Sequence, residues 1–186
     1  QSATRCFAKT LAHACLVMKK IPNANAYANT LITSYATNLL SKAELAWTWL
    51  LANPTPSLYN NQGFGAGNGT CNGGTTATAI DEDYDAAFQA PAFYMQITEQ
   101  VLASVYLYAA TANASYKTFF DANFANTHPI LWSFWTPHEQ RTQDALLYYT
   151  SLPIEESPVG VSPTPAVVAD IKSSSVLGAY SNTASP

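Results

Sequence analysis

Four carboxylates, Asp81, Glu82, Asp83 and Asp85, fall in one short run, the densest acidic group of the chain. Two carboxyls of such a group act as acid and base when their surroundings separate their pKa values. Clustered carboxylate oxygens also suit a hard cation such as calcium. The third option is capping: acidic residues settle at a helix N-terminus, where free N–H groups and the dipole are positive. The histidines are His13, His128 and His138, and no G-x-S-x-G elbow accompanies them, so a serine triad has no support. Cys6, Cys15 and Cys71 give an odd thiol count. Cys6 and Cys15 lie too far apart along a helix to bond to each other. A bridge from Cys71 to either one, or buried free thiols throughout, both remain open. No Cys or His pair has zinc-ligand spacing.

These residues must be positioned by helices. Ala3 to Lys20 is predicted as a helix with Phe7, Leu11, Ala14, Val17 and Met18 inward. Pro22 ends it, and Asn25 caps a long second helix from about Ala26 to Ala52. Tyr27, Leu31, Tyr35, Leu39, Ala43, Trp47 and Leu50 form its expected stripe. Residues 55–80 are turn chemistry, with Gly63, Gly65, Gly67 and Gly69 in close succession. A loop of that length in a compact domain is usually functional. It lacks the Lys-Ser/Thr ending and the preceding strand of a phosphate loop.

Asp81 is expected to open a short helical stretch that Pro91 breaks. A further helix is expected from about Ile97 to Ala112, with Val101, Val105 and Tyr108 inward. Asn113 then caps a helix from Ala114 to about Phe124. Thr136-Pro137-His138-Glu139 reads as a capping box that starts a helix to about Ser151. Residues 153–168 read as a Pro-rich loop and the remainder as a poorly ordered tail, with a short helical turn near Asp170 to Ser175. Nothing reads as a strand. The fold class is all-α: antiparallel helix hairpins with long irregular loops over 1–152, then a Pro/Ser-rich loop and tail over 153–186.

Composition narrows the function. The 186 residues carry 11% charged side chains and a net charge of −4, against about 25% charged in average chains. An acidic chain of this kind has no basic face for nucleic acid, and no run approaches a membrane span. Asn68-Gly69-Thr70 and Asn113-Ala114-Ser115 are N-glycosylation sequons, so Asn68 and Asn113 are candidate acceptors. Together with a first residue of Gln rather than Met, they lead us to expect a secreted, extracellular protein whose signal peptide was removed, or a piece cut from a longer chain.

Three stretches resemble the middle of a glycoside hydrolase family 9 (cellulase, endoglucanase) catalytic domain. Ser2-Ala3-Thr4 through Ala8, Leu11 and Ala12 to Ala14 resembles S-x-A-T…A-x-x-L-A-x-A. Ala43-Glu44-Leu45-Ala46-Trp47-Thr48-Trp49-Leu50 with Ala52-Asn53-Pro54 is similar to A-E-x-A-W-x-W-L-x-A-N-P. Ala103 through Leu107-Tyr108-Ala109-Ala110-Thr111-Ala112-Asn113-Ala114-Ser115-Tyr116 is similar to A-A-x-L-Y-x-A-T-G-x-x-S-Y.

The resemblance covers roughly residues 2–150 and implies part of an (α/α)6 barrel. It implies hydrolysis of β-1,4-glucan by inverting acid/base chemistry in the intact enzyme, with two carboxylates about 6.5–9.5 Å apart. The D-A-G-D, N-E and H-R motifs that carry this chemistry are absent from these 186 residues, so no catalytic residue is assigned. By the same resemblance Trp135, within Trp132-Ser133-Phe134-Trp135, stacks on a glucose ring, with Trp132 and Phe64 as further substrate contacts. The chemistry requires no cofactor. A structural calcium is implied where Thr98 and Glu99 stand, with Asp81, Glu82 and Asp83 as substitute ligands. The alternative is a non-catalytic carbohydrate-binding or self-assembling module of the same fold. It would pair with copies of itself or with the missing part of the barrel.

Overall fold

The computed structural model describes residues 2–21, 25–53, 91–133, 135 and 139–183, the backbone alone at 2–3, 91–97 and 177–183. Within these the chain is mostly helical and contains no strand. Expectations for the loop at 55–80, for Phe64, Asn68 and Cys71, for Asp81 to Asp85, and for Thr136 to His138 lie outside the described residues.

The helices are α1 (Ser2–Lys19), α2 (Ala26–Ala52), α3 (Pro91–Thr111), α4 (Ala114–Asn123), α5 (His128–Leu131), α6 (Gln140–Thr150) and α7 (Pro165–Thr183), with a 3₁₀ turn at Phe124–Asn126. α1 and α2 pack together across a short connection, and so do α3 and α4. Such connections join antiparallel neighbours. Asn25 Oδ1 accepts from the Ala28 N–H at 2.8 Å, and Asn113 Oδ1 accepts from the Ser115 N–H at 3.0 Å. Both caps fall where the sequence places them.

α3 is the centre. It touches α1, α2, α4 and α6, and Val101 through Ala110 are all buried. The expected inward stripe of Val101, Val105 and Tyr108 is therefore too narrow. A helix apolar on every side is a core helix. Ser104, the one serine of that run, donates to the Val101 carbonyl at 2.6 Å. α3 begins at Pro91, ahead of the expected start near Ile97, and its fixed φ and missing N–H cost nothing in a first turn; the stretch expected before it lies outside the described residues.

α1 turns a different face inward than periodicity predicted. Ala8, Ala12, Cys15 and Leu16 are buried, whereas Phe7 and Val17 are about half exposed. Small residues let α1 approach α3 closely, and that close packing outweighs burial of one large ring. On α2 the expected stripe holds only from Ala36 onward; Tyr27, Leu31 and Tyr35 are exposed. Trp47 is the anchor there. It meets Tyr116 at 5.3 Å and Phe119 at 5.0 Å, both edge-on, the geometry aromatic quadrupoles prefer.

A further correction concerns the C-terminal part. Glu139 immediately precedes α6, and the capping box expected at Thr136 to Glu139 involves residues outside those described. The Glu139 carboxylate meets His128 Nδ1 and Thr142, whose Oγ1 donates to Oε2 at 2.8 Å. Residues 153–164 are irregular, as expected, but the stretch from Pro165 to Thr183, expected as the loop's end and a poorly ordered tail with a short turn near Asp170 to Ser175, forms α7. Val167, Ile171 and Ser174 make its buried face against α5 and α6. Pro165 suits the first turn of that helix. The connection before it is pinned by half-buried polar bonds. Tyr149 Oη donates to Asp121 Oδ1 at 2.7 Å and accepts from the Thr164 N–H at 3.0 Å, while Thr164 Oγ1 donates to Asp121 Oδ2 at 2.6 Å. Tyr108 Oη donates to the Ser162 carbonyl and accepts from its N–H, both at 2.9 Å.

α3 ends at Thr111, and the next residue, Ala112, takes a left-handed φ of +59°. An L-residue pays about 1–2 kcal/mol there, while glycine loses about 0.4–1 kcal/mol more chain entropy on folding. Ala112→Gly should therefore leave stability unchanged or raise it by up to about 1 kcal/mol in urea unfolding. Trp47→Ala should lower it by about 3–5 kcal/mol in the same measurement.

Candidate functional site

The first region is the corner between α5 and α7 that carries Trp132 and Trp135. α5 is a single turn, and the Trp132 N–H donates back to the His128 carbonyl at 2.9 Å. This closure lays the Trp132 ring on the His128 imidazole, centroids 3.5 Å apart and planes 14° from parallel. Glu139 Oε1 holds His128 Nδ1 at 2.7 Å and fixes the imidazole plane. Trp132 remains exposed. Trp135 is half-buried and packs on the main core. Its Nε1–H donates to Ser174 Oγ at 3.2 Å, and Ser174 Oγ donates to the Pro129 carbonyl at 2.9 Å. Trp135 therefore ties α5 to α7, and Trp132 is the ring that meets solvent.

The second region is a groove of about 460 Å³ over α3. α1 and α6 both pack on α3, and the groove lies along the line where they flank it. Leu102 and Tyr106 of α3 form its floor, Lys9, Thr10, His13, Ala14 and Val17 line the α1 side, and Arg141 and Asp144 line the α6 side. His13 stacks on Tyr106 at 4.4 Å and 12°, and Tyr148 meets Tyr106 edge-on at 5.1 Å. Burial, with Asp144 and Glu99 nearby, pushes the Tyr106 hydroxyl up to about 12. Desolvation, then Lys20 and Lys9, hold His13 below its ordinary value of 6.5. His13 is thus a neutral ring at neutral pH.

Beside the groove, the Glu99 carboxylate is ion-paired with Lys9 and faces Arg141 Nη1 at 3.6 Å. Two cations occupy the surroundings in which a calcium would need oxygens, so Glu99 does not fit the calcium-ligand role. Among the described residues no three His, Cys, Asp or Glu side chains gather as metal ligands. Asn113 is exposed at the start of α4 and uses its Oδ1 for the cap. Cys6 is an exposed thiol and Cys15 a buried one; burial pushes the Cys15 thiol up, which suppresses its reactivity.

The structure does not join the two regions into one site. Sequence reading singled out Trp132 and Trp135 and missed the groove. Lys9, Tyr106 and Arg141 are too far apart in the chain for spacing to connect them. The available signal was His13, a polar residue one turn from the buried Ala8–Ala12–Leu16 face.

No protein-family model, curated protein or solved structure matches this chain.

His13 gives the groove a pH signature. Its folded-state pKa is lowered, so the unfolded chain takes the proton more readily, and stability rises with pH in that window. The stabilisation is complete above 6.5 and is lost as pH falls below it toward the lowered value. His13→Gln should reduce the fall in Tm between about pH 7 and pH 5, measured by circular dichroism.

Proposed function

We propose that this chain is the central part of a family 9-like glycoside hydrolase domain and that it binds β-1,4-glucan. The observation that carries the reading is Ala112. The family pattern has glycine at that one position of the third stretch, and Ala112 adopts the left-handed backbone that glycine favours. The residue that departs from the pattern still obeys its backbone requirement. A supporting observation is that the three resembling stretches pack into one core. Ala8 and Ala12, then Ala43, Ala46 and Trp47, then Ala103, Leu107 and Tyr116 belong to the same buried cluster. Glu44 of the second stretch hydrogen-bonds with the Tyr116 hydroxyl of the third, which with burial pushes that hydroxyl up to about 12.

In this reading the acid/base carboxylates lie outside these 186 residues, so the chain binds glucan without cleaving it. No calcium is assigned to Glu99. Trp132 supplies the stacking ring. A pyranose presents C–H bonds of partial positive charge to the negative face of an indole. Trp135, bonded to Ser174, which in turn bonds to the Pro129 carbonyl, ties α5 to α7. The barrel is completed by further helix hairpins, the protein acts outside the cell, and neither nucleic acid nor membrane is its partner. Among the described residues, no helix is long and apolar enough to cross a membrane.

A second reading is favoured by the start of α2. Tyr27, Leu31 and Tyr35 lie one above another at four-residue spacing and are all exposed. Such an apolar face drives association, here with a second copy or with the rest of the barrel.

Isothermal titration with cellotetraose tests the first reading. Trp132→Ala should weaken binding about tenfold, roughly 1.4 kcal/mol, with Tm unchanged. Trp135→Ala should lower Tm first. Reducing-end release should be absent; hydrolysis by the chain alone would overturn the assignment of chemistry elsewhere. A mass that doubles with concentration in ultracentrifugation, and is restored to monomer by Tyr27→Ser with Leu31→Ser, would favour the second.

A further inference from the structure

We infer that the groove between α1 and α6 is a second binding region, and that its ligand class is a neutral oligosaccharide. The inference rests on the glycan-binding reading above and adds a site that the resemblance does not assign.

The first ground is shape. The groove follows α1 from Lys9 to Val17, eight residues or about 12 Å of helix. At about 460 Å³ it falls within the range of small-ligand sites. It is open along its length between two helices, which suits a short chain rather than a compact metabolite.

The second ground is the chemistry of floor and walls. Leu102, Tyr106, Ala14 and Val17 supply apolar surface, and His13 supplies an exposed aromatic ring already stacked on Tyr106. Hydroxylated rings are apolar on their C–H faces and polar at their edges, so they need this combination of flat apolar contact and a polar rim.

The third ground is charge. The rim carries Lys9 and Arg141 against Glu99 and Asp144. These charges cancel, and both Lys9 and Arg141 already face Glu99. An anionic ligand would meet Glu99 and Asp144, and a cationic one Lys9 and Arg141. His13 adds no charge at neutral pH, because burial, Lys20 and Lys9 oppose its protonation. A neutral ligand with hydroxyls is the class left without an uncompensated charge. Arg141 offers a fork of N–H donors and its side chain is 70% exposed. Asp144, three residues on along the same helix face, offers acceptor oxygens. Together they match a pair of adjacent hydroxyls, one accepting and one donating.

Titration of the full chain with cellotetraose and, separately, maltotetraose tests the inference, followed by amide chemical-shift perturbation and calorimetry at about pH 7. Thr10 is exposed and lines the groove, so Thr10→Trp fills it without touching the core. The expected result is binding with shifts concentrated at Thr10, His13, Arg141 and Asp144. It should be abolished by Thr10→Trp and weakened at least about tenfold by Arg141→Ala or Asp144→Ala, with Tm retained. Binding that survives Thr10→Trp but is lost in Trp132→Ala overturns the groove and leaves the glucan reading standing. Groove binding of maltotetraose without cellotetraose supports the groove and overturns the β-1,4-glucan reading. No binding of either sugar overturns both.

Discussion

Everything in this molecule is arranged around a helix that has no solvent face. Ten consecutive residues of α3, Val101 to Ala110, are buried, and a helix of that kind is stable only when neighbours cover it on all sides. α1, α2, α4 and α6 provide that cover. The requirement explains the residue choice on the neighbours. Ala8 and Ala12 on α1, with Ala43 and Ala46 on α2, keep the helices close enough to exclude water. The larger rings, Trp47, Phe120 and Tyr149, fill the wider spaces farther from the axis.

The same constraint creates the groove. α1 and α6 reach α3 from two sides, and along part of the contact line their side chains do not close the gap. Tyr106 is the pivot of that arrangement. It is almost fully buried, yet it carries His13 on its face and Tyr148 against its edge. Polar groups are concentrated where helices meet at the periphery. Asp121, Tyr149 and Thr164 satisfy one another there, and buried polar groups paired in this way rigidify a junction instead of weakening it. Trp135, Ser174 and the Pro129 carbonyl repeat the device at α5 and α7.

The sequence made some of this legible and concealed the rest for identifiable reasons. The ends of α1, α2 and α4 are written locally, in Pro22, Asn25 and Asn113, and local signals are read reliably. The inward face of α1 was misjudged because periodicity weights large apolar residues, whereas packing at a helix crossing selects small ones. α7 was overlooked because serines and alanines blur its stripe; among its described side chains Val167, Ile171 and Ser174 are the buried ones. Glu139 has the spacing of a capping residue, and its carboxylate also meets His128, a contact that arises only in three dimensions. Of the candidate site, Trp132 and Trp135 could be found by resemblance. The groove could not, since its walls come from α1, α3 and α6.

The pairing of α1 with α3 also has a consequence for how the chain reaches its native state. Arg5 Nε donates to Gln100 Oε1 across 95 residues of sequence, and Lys9 pairs with Glu99. The α1–α2 and α3–α4 hairpins are made of near neighbours and can form early, but joining them closes a very long loop. The entropy of closure grows only logarithmically, about 0.6 kcal/mol per doubling of length, so the native state tolerates the separation. The rate does not tolerate it as well, because distant contacts repay nothing until the closure is made. On this topology the docking of the two hairpins is the step expected to limit the folding rate, because it alone requires contacts far apart in the chain.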